Sequence, residues 1–226
     1  MIGKLASNMT TWLFRNVTLT TVIATVCIAL LAESASLAAE PTEGDRIRIY
    51  ESGPLTPQDF QAAVPSGRDG LDAWTTTELK FRYRYETQVR GRRATARITQ
   101  VEVDAVVVHD QSWNRLPQDE DLMDHEQGHF DLTQIAALEA RLYFARRRIV
   151  RTATTPQRAT QMAEDELNRR MEEFIRELKL RHEEYDRVTN HGRTAPRQKE
   201  QRRLQQQQLE RLTRQWQDVQ QATSRN

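Results

Sequence analysis

A chain of 226 residues is long enough for one domain with its own core plus appendages. With 38% hydrophobic and 29% charged residues, it favours long solvated helices over a thick α/β core. Its 33 basic and 32 acidic residues leave a net charge of +1, which excludes a chain-wide attraction to nucleic acid or anionic lipid.

The first element in chain order is a targeting segment. Lys4 and Arg15 precede an apolar run from Val17 to Ala32, and Ser36-Leu37-Ala38 has the small-x-small pattern of a cleavage site. Residues 1–38 are therefore expected to be a signal peptide, with the protein periplasmic or secreted and touching a membrane only if the segment stays on. The run is short for a spanning helix. Cleavage would remove Lys4, Arg15 and Glu33, leaving 31 basic and 31 acidic residues. Cys27, the single cysteine, lies inside this segment, so the mature chain has no disulfide, no thiol nucleophile and no thiol ligand.

A short strand is expected over residues 46–50, where Ile47 and Ile49 alternate with arginines. Thr56-Pro57 predicts an N-cap and first helical residue, opening a short helix through about Ala63. Residues 65–70 form a loop by composition. Leu79, Phe81, Tyr83 and Tyr85 alternate with Lys80, Arg82, Arg84 and Glu86, giving one aromatic face and one charged face. Arg90-Gly91 supplies a turn into a second run ending at Val108, so residues 79–108 predict a long hairpin.

From Pro117 the pattern turns helical, with Asp119, Glu120 and Asp121 in a first turn that suits the helix dipole. This helix is expected to run to about Val150 and to break over residues 152–155. Pro156 then opens a second helix capped by Thr155. Leu167, Met171, Phe174, Leu178 and Tyr185 form its apolar stripe, and its end is expected near Val188. Beyond Pro196 the chain is rich in Gln and Arg. Leu204, Leu212, Trp216 and Val219 mark one face of a helical tail, suited to packing on the domain, to self-association or to a partner.

The first of the two long helices carries His125-Glu126-Gln127-Gly128-His129. Histidines four apart lie about 40° apart around a helix axis, so both imidazoles can reach one ion. Zinc accepts imidazole nitrogens and acidifies water, and Glu126 beside it can take the proton. His-Glu-x-x-His on a helix is thus a compact kit for peptide hydrolysis. Gly128 adds a second signal. A mid-helix glycine costs about 1 kcal/mol against alanine, so something must approach closely there. The competing reading buries two histidines in a helix seam, where unpartnered rings are unfavourable.

A catalytic zinc usually has three protein ligands and an open position. The short connection near residues 151–155 predicts that the two helices pack antiparallel. His125 lies 25 residues before Val150, and 25 residues past Pro156 is Arg181. The end of the second helix therefore returns beside the motif, offering His182, Glu183, Glu184, Tyr185, Asp186 and, on the following loop, His191. His182 is nearest by counting, and His191 is followed by Gly192, which lets the loop turn back. Tyr185 faces inward, either to stabilise an oxyanion or simply to pack the core.

These motifs resemble the DUF922 family of bacterial secreted proteins, described as predicted zinc-dependent proteases. The resemblance rests on His125–His129 followed by Phe130-Asp131, on the aromatic strand after Trp74, and on Tyr185-Asp186-Arg187-Val188-Thr189-Asn190-His191-Gly192, which fits the family pattern Tyr-Asp-x-x-Thr-x-His-Gly. It spans roughly residues 46–192. It implies an α+β, zincin-like domain over residues 39–192, a sheet followed by a helix hairpin carrying the metal motif, with residues 193–226 as a helical tail. It also implies His191 as third zinc ligand beside His125 and His129, and site roles for Tyr185 and Asp186. The expected function is zinc-dependent hydrolysis of a peptide or protein, with Glu126 as general base and Tyr185 in the catalytic set. The rival is a non-catalytic envelope protein whose zinc braces a helix hairpin for protein binding. Nucleic-acid binding through Arg90-Gly91-Arg92-Arg93 or Arg146–Arg148 is set aside, because nothing gives the domain a basic balance.

Overall fold

The computed structural model of the chain describes residues 13–17, 46–66 and 70–225. The architecture is α+β. Strands β1 (Leu13–Val17), β4 (Thr77–Arg90), β5 (Arg93–Val108) and β2 (Ile47–Ile49) lie side by side in that order, all antiparallel, and β7 (Val150–Ala153) joins the β2 edge of β5 further along. A small second sheet pairs β3 (Ala73–Trp74) with β6 (Trp113–Asn114). Three long helices follow: α1 (Glu120–Arg146), α2 (Pro156–Thr189) and α3 (Ala195–Ser224). No helix among the described residues is long and apolar enough to cross a membrane.

The hairpin forms as the alternation requires. Gly91 takes a φ of 60° at the first turn position, a conformation glycine adopts without penalty. Leu79, Phe81 and Tyr83 are buried while Arg82 opposite is exposed. A bulge at Arg84/Tyr85 re-phases the pairing, so that both Ile98 and Val101 turn to the core side of β5. The face made by these residues with Ala96, Val103, Ala105 and Val107 packs on Phe130, Ala137 and Ala140 of α1 and on Ala163, Leu167 and Met171 of α2. Alanines on the helices allow the close approach to the sheet.

Helix α1 is the centre of the molecule. The sheet covers one side of it and α2 another, and Ile135, Leu138 and Leu142 meet Leu209 and Leu212 of α3 on a third. The Gln-rich tail therefore packs on the domain, with Trp216 and Val219 partly buried against the same cluster and Leu204 left exposed.

Several boundaries differ from the sequence reading. Helix α1 starts at Glu120, because Asp119 is its N-cap and accepts from the Leu122 amide (3.0 Å). It ends at Arg146, since Ile149 and the residues after it are drawn into β7. There the Ile149 carbonyl accepts from the Ile98 amide and Val150–Ala153 pair with Ala94–Arg97. The helix expected from Pro57 to Ala63 is only a 3-10 turn, Pro57–Asp59. The chain leaves it early because the Gln61 and Ala62 amides donate to the His109 and Ser112 carbonyls. Helix α2 opens at Pro156 behind the Thr155 cap, as expected, and ends at Thr189 with Asn190 in the left-handed region. Of the expected signal peptide, the structure describes only β1, which pairs with Phe81–Tyr85. The cleavage position after Ala38 lies outside the described residues.

Candidate metal centre

Antiparallel packing of α1 and α2 brings residues 182–191 beside residues 125–129. Nε2 of His125 and Nε2 of His129 lie 3.2 Å and 3.0 Å from the same atom, Oδ1 of Asp186. One donor atom from each of these three residues falls within 4.8 Å of the others. Two imidazole nitrogens and a carboxylate oxygen, converging from two rigid helices, suit a divalent transition metal with a position left open.

The far side of each ring is also occupied. Nδ1 of His125 lies 3.2 Å from Oε1 of Gln198, and Nδ1 of His129 lies 2.8 Å from Nδ1 of His182. Both Nδ1 atoms are engaged behind the rings, so both Nε2 atoms face Asp186. Such outer contacts fix ring orientation at metal sites. His182 therefore meets the Nδ1 side of His129, with its Nε2 3.4 Å from Oγ1 of Thr133, and it too lines the neighbouring cleft. Burial, helped by the neighbouring His129, pushes the pKa of His182 down to about 3, so this ring is neutral.

Charge within the trio is mutually dependent. Burial works against a charged His125, but the Asp186 carboxylate, with Glu126 and Gln198, raises its pKa overall. Burial likewise opposes a charged Asp186, yet hydrogen bonds from His125 and His129 hold its carboxyl well below the usual carboxylate range. Asp186 is thus an anion aimed between two imidazoles, the electrostatic setting a cation would occupy.

Glu126 is buried, and its Oε2 accepts from the Thr75 hydroxyl (2.5 Å) on the link between β3 and β4. It lines a cleft of about 550 Å³ together with His125, His129 and Asp186. Residues 70–81 line it as well. There β1 covers only Phe81–Tyr85, so among the described residues the start of β4, Thr77–Leu79, has no strand on its outer edge.

The segment from Tyr185 to Gly192 builds the other half of the centre. The Tyr185 ring stacks on His125 (4.9 Å between centroids, 11° between planes). Its hydroxyl is buried, donates to Gln198 Oε1 (3.1 Å) and lies outside the cleft lining. The structure therefore puts Tyr185 against the ring of the first histidine and off the cleft surface. Thr189 donates to the Tyr185 carbonyl (2.7 Å) and accepts from the Gly192 amide (3.3 Å), tying the loop to the helix. Asn190, His191 and Gly192 all have positive φ, and a Cβ on Gly192 would sit 3.0 Å from Cβ of His125. His191 lines the cleft, half exposed, with Nδ1 3.5 Å from Asp186 Oδ1, and is not in the tight trio. Gly128 has the close neighbour its position implied: an added Cβ would lie 2.1 Å from the Tyr185 hydroxyl oxygen.

The family model described as "Bacterial protein of unknown function (DUF922)" matches residues 49–192. The chain belongs to the DUF922 family. The match takes in the hairpin, both motif segments and the loop carrying His191 and Gly192, and it stops before α3. No curated protein and no solved structure matches the chain. Three contributors to the centre escaped the sequence reading of this DUF922 member. Thr75 sits in a run of threonines with no distinguishing pattern, and Gln198 and Arg202, which holds Asp124 beside His125 (3.0 Å), sit in a tail whose composition reads as a solvated helix.

Proposed function

We propose that this DUF922 member is an exported, zincin-like zinc peptidase. The observation that carries the reading is the convergence of His125, His129 and Asp186 on one point at the floor of an open cleft, with the Glu126 carboxylate beside them. In this reading Asp186 takes the third ligand position, and His191 stands against it at the mouth. Bound there, zinc would acidify a water molecule and polarise a substrate carbonyl. Glu126 would serve as the base that takes a proton from water and returns it to the leaving amine, with the Thr75 hydroxyl holding its carboxylate in place. Tyr185 and His182 keep the two rings oriented from behind.

The cleft wall supports a peptide as substrate. The open edge of β4 at Thr77–Leu79 offers backbone groups to an extended peptide, which would lie across the metal floor as an added strand. Export rests on the signal-like residues 1–38. Their removal would also take away β1 and extend the free edge to Tyr85. A purely bracing metal would be enclosed by four protein donors; three donors facing a cleft favour catalysis over the bracing role.

Glu126→Gln is expected to keep one zinc per chain and to lower cleavage of a fluorogenic peptide library by at least about 10²-fold, the usual scale for losing a general base. Unchanged turnover in Glu126→Gln, or no cleavage by zinc-loaded wild type, would remove the peptidase reading.

A further inference from the structure

The centre depends on a residue outside the segment that defines the family. Gln198 lies on the first turn of α3, six residues beyond the matched region, and is 6% exposed. Its amide touches three groups. Nε2 donates to Oδ2 of Asp124 (3.1 Å), while Oε1 faces Nδ1 of His125 (3.2 Å) and accepts from the Tyr185 hydroxyl (3.1 Å). Asp124 is itself held by Arg202, whose Nε donates to Oδ1 (3.0 Å) one turn further along α3.

The order of these contacts dictates a proton position. A carboxylate accepts only, so Asp124 requires the NH2 end of the Gln198 amide. The carbonyl end must then face His125, and a carbonyl oxygen can only accept. His125 must therefore carry a proton on Nδ1. Once the ring gives up its other proton, the lone pair lies on Nε2, the atom aimed at Asp186. The relay from Arg202 through Asp124 and Gln198 thus selects the histidine tautomer that can bind a metal.

We infer that Gln198 is a positioning residue for the metal centre, acting through His125, so that α3 is a working part of the site and not only a cover for α1. The inference rests on the metal reading above. Ligand-orienting contacts of this kind typically change metal affinity by about 10–100-fold.

The test is zinc affinity of the full chain, measured by competition with a chromophoric chelator, with circular dichroism as the folding control. Gln198→Leu removes the acceptor and is expected to weaken zinc about 10–100-fold. Should Gln198→Leu not fold, Gln198→Asn, which retracts the amide by one methylene, is expected to show a loss in the same direction. The pair Gln198→Glu with Asp124→Asn reverses the polarity of the link but keeps an acceptor on His125. It is expected to recover affinity to within about threefold of wild type, as an intact outer contact should. A role in packing alone would not distinguish an acceptor from its absence. Wild-type affinity in folded Gln198→Leu or Gln198→Asn, or an unrescued loss in the folded double variant, overturns the inference while leaving the metal site standing. Absence of zinc binding by the wild type overturns the metal reading and this role with it.

Discussion

Gly128→Ala is expected to destabilise the protein and to weaken metal binding together. The new methyl carbon would lie 2.1 Å from the Tyr185 hydroxyl oxygen and 2.5 Å from the ring carbon that bears it, far inside contact distance. Relief by rotation is blocked, because the ring is stacked on His125 and its hydroxyl is held by Gln198. Overpacking of this kind costs about 1–3 kcal/mol and sometimes more, and this contact belongs at the upper end. Alanine's better helix propensity returns about 1 kcal/mol, so a net loss of about 2 kcal/mol or more should appear in urea denaturation. Tyr185 can retreat only by releasing His125, so zinc affinity should fall about 10–100-fold as well. The clash is confirmed if Gly128→Ala costs nothing further in a Tyr185→Ala background. An equal cost in both backgrounds would place its origin elsewhere.

Asp131→Ala is expected to cost about 3–5 kcal/mol, because it breaks a buried ion pair from one side. Asp131 is 2% exposed and collects three donors. Arg202 reaches Oδ2 at 2.5 Å, and Tyr50 and the Gln127 amide reach Oδ1 at 2.8 Å and 2.7 Å. Burial and the Asp131 charge together raise the pKa of Tyr50 beyond its usual range, so that hydroxyl stays protonated and donating. Removing Asp131 strands Arg202 beneath α3, with only Asp124 and Gln205 left to it. The double change Asp131→Leu with Arg202→Met should recover most of the loss, since apolar replacement of a whole buried pair is often neutral. Thermal or urea unfolding of wild type and the two variants checks this. A single variant within about 1 kcal/mol of wild type would show that the pair does not fasten α3 to α1.

Both effects originate in residues whose sequence signal differed greatly. Gly128 was legible as a close approach, because glycine inside a helix needs a reason. The aromatic alternation at Leu79–Tyr85 announced its strand, and Thr155-Pro156 announced the start of α2. Helix α1 was legible in outline but not in its contacts. It is buried on three sides, so its apolar periodicity is diluted by His125, Asp131, Thr133 and Gln134, polar residues that the fold draws inside through hydrogen bonds such as Thr133 to the His129 carbonyl. Strand β7 was lost for another reason. Four residues between two helices hold too little pattern to announce pairing with Ala94–Arg97.

The candidate metal centre divides in the same way. Counting along two antiparallel helices placed the return of α2 correctly, but counting does not say which side chain turns inward. Asp186 follows His182 by four residues and so shares its face, and that face meets His129. His191 lies one left-handed turn further on, at the cleft mouth, where a loop conformation and not a helical period sets its position. Gln198 carried no sequence signal. It is one glutamine among many, and only the docking of α3 gives it a partner.

The most direct test is the zinc content of purified chain, measured by elemental analysis for wild type, Asp186→Ala and His191→Ala. One zinc per chain in wild type and in His191→Ala, with none retained by Asp186→Ala, is the predicted result. A zinc-free wild type, or a variant lacking Asp186 that still holds its zinc, would contradict it.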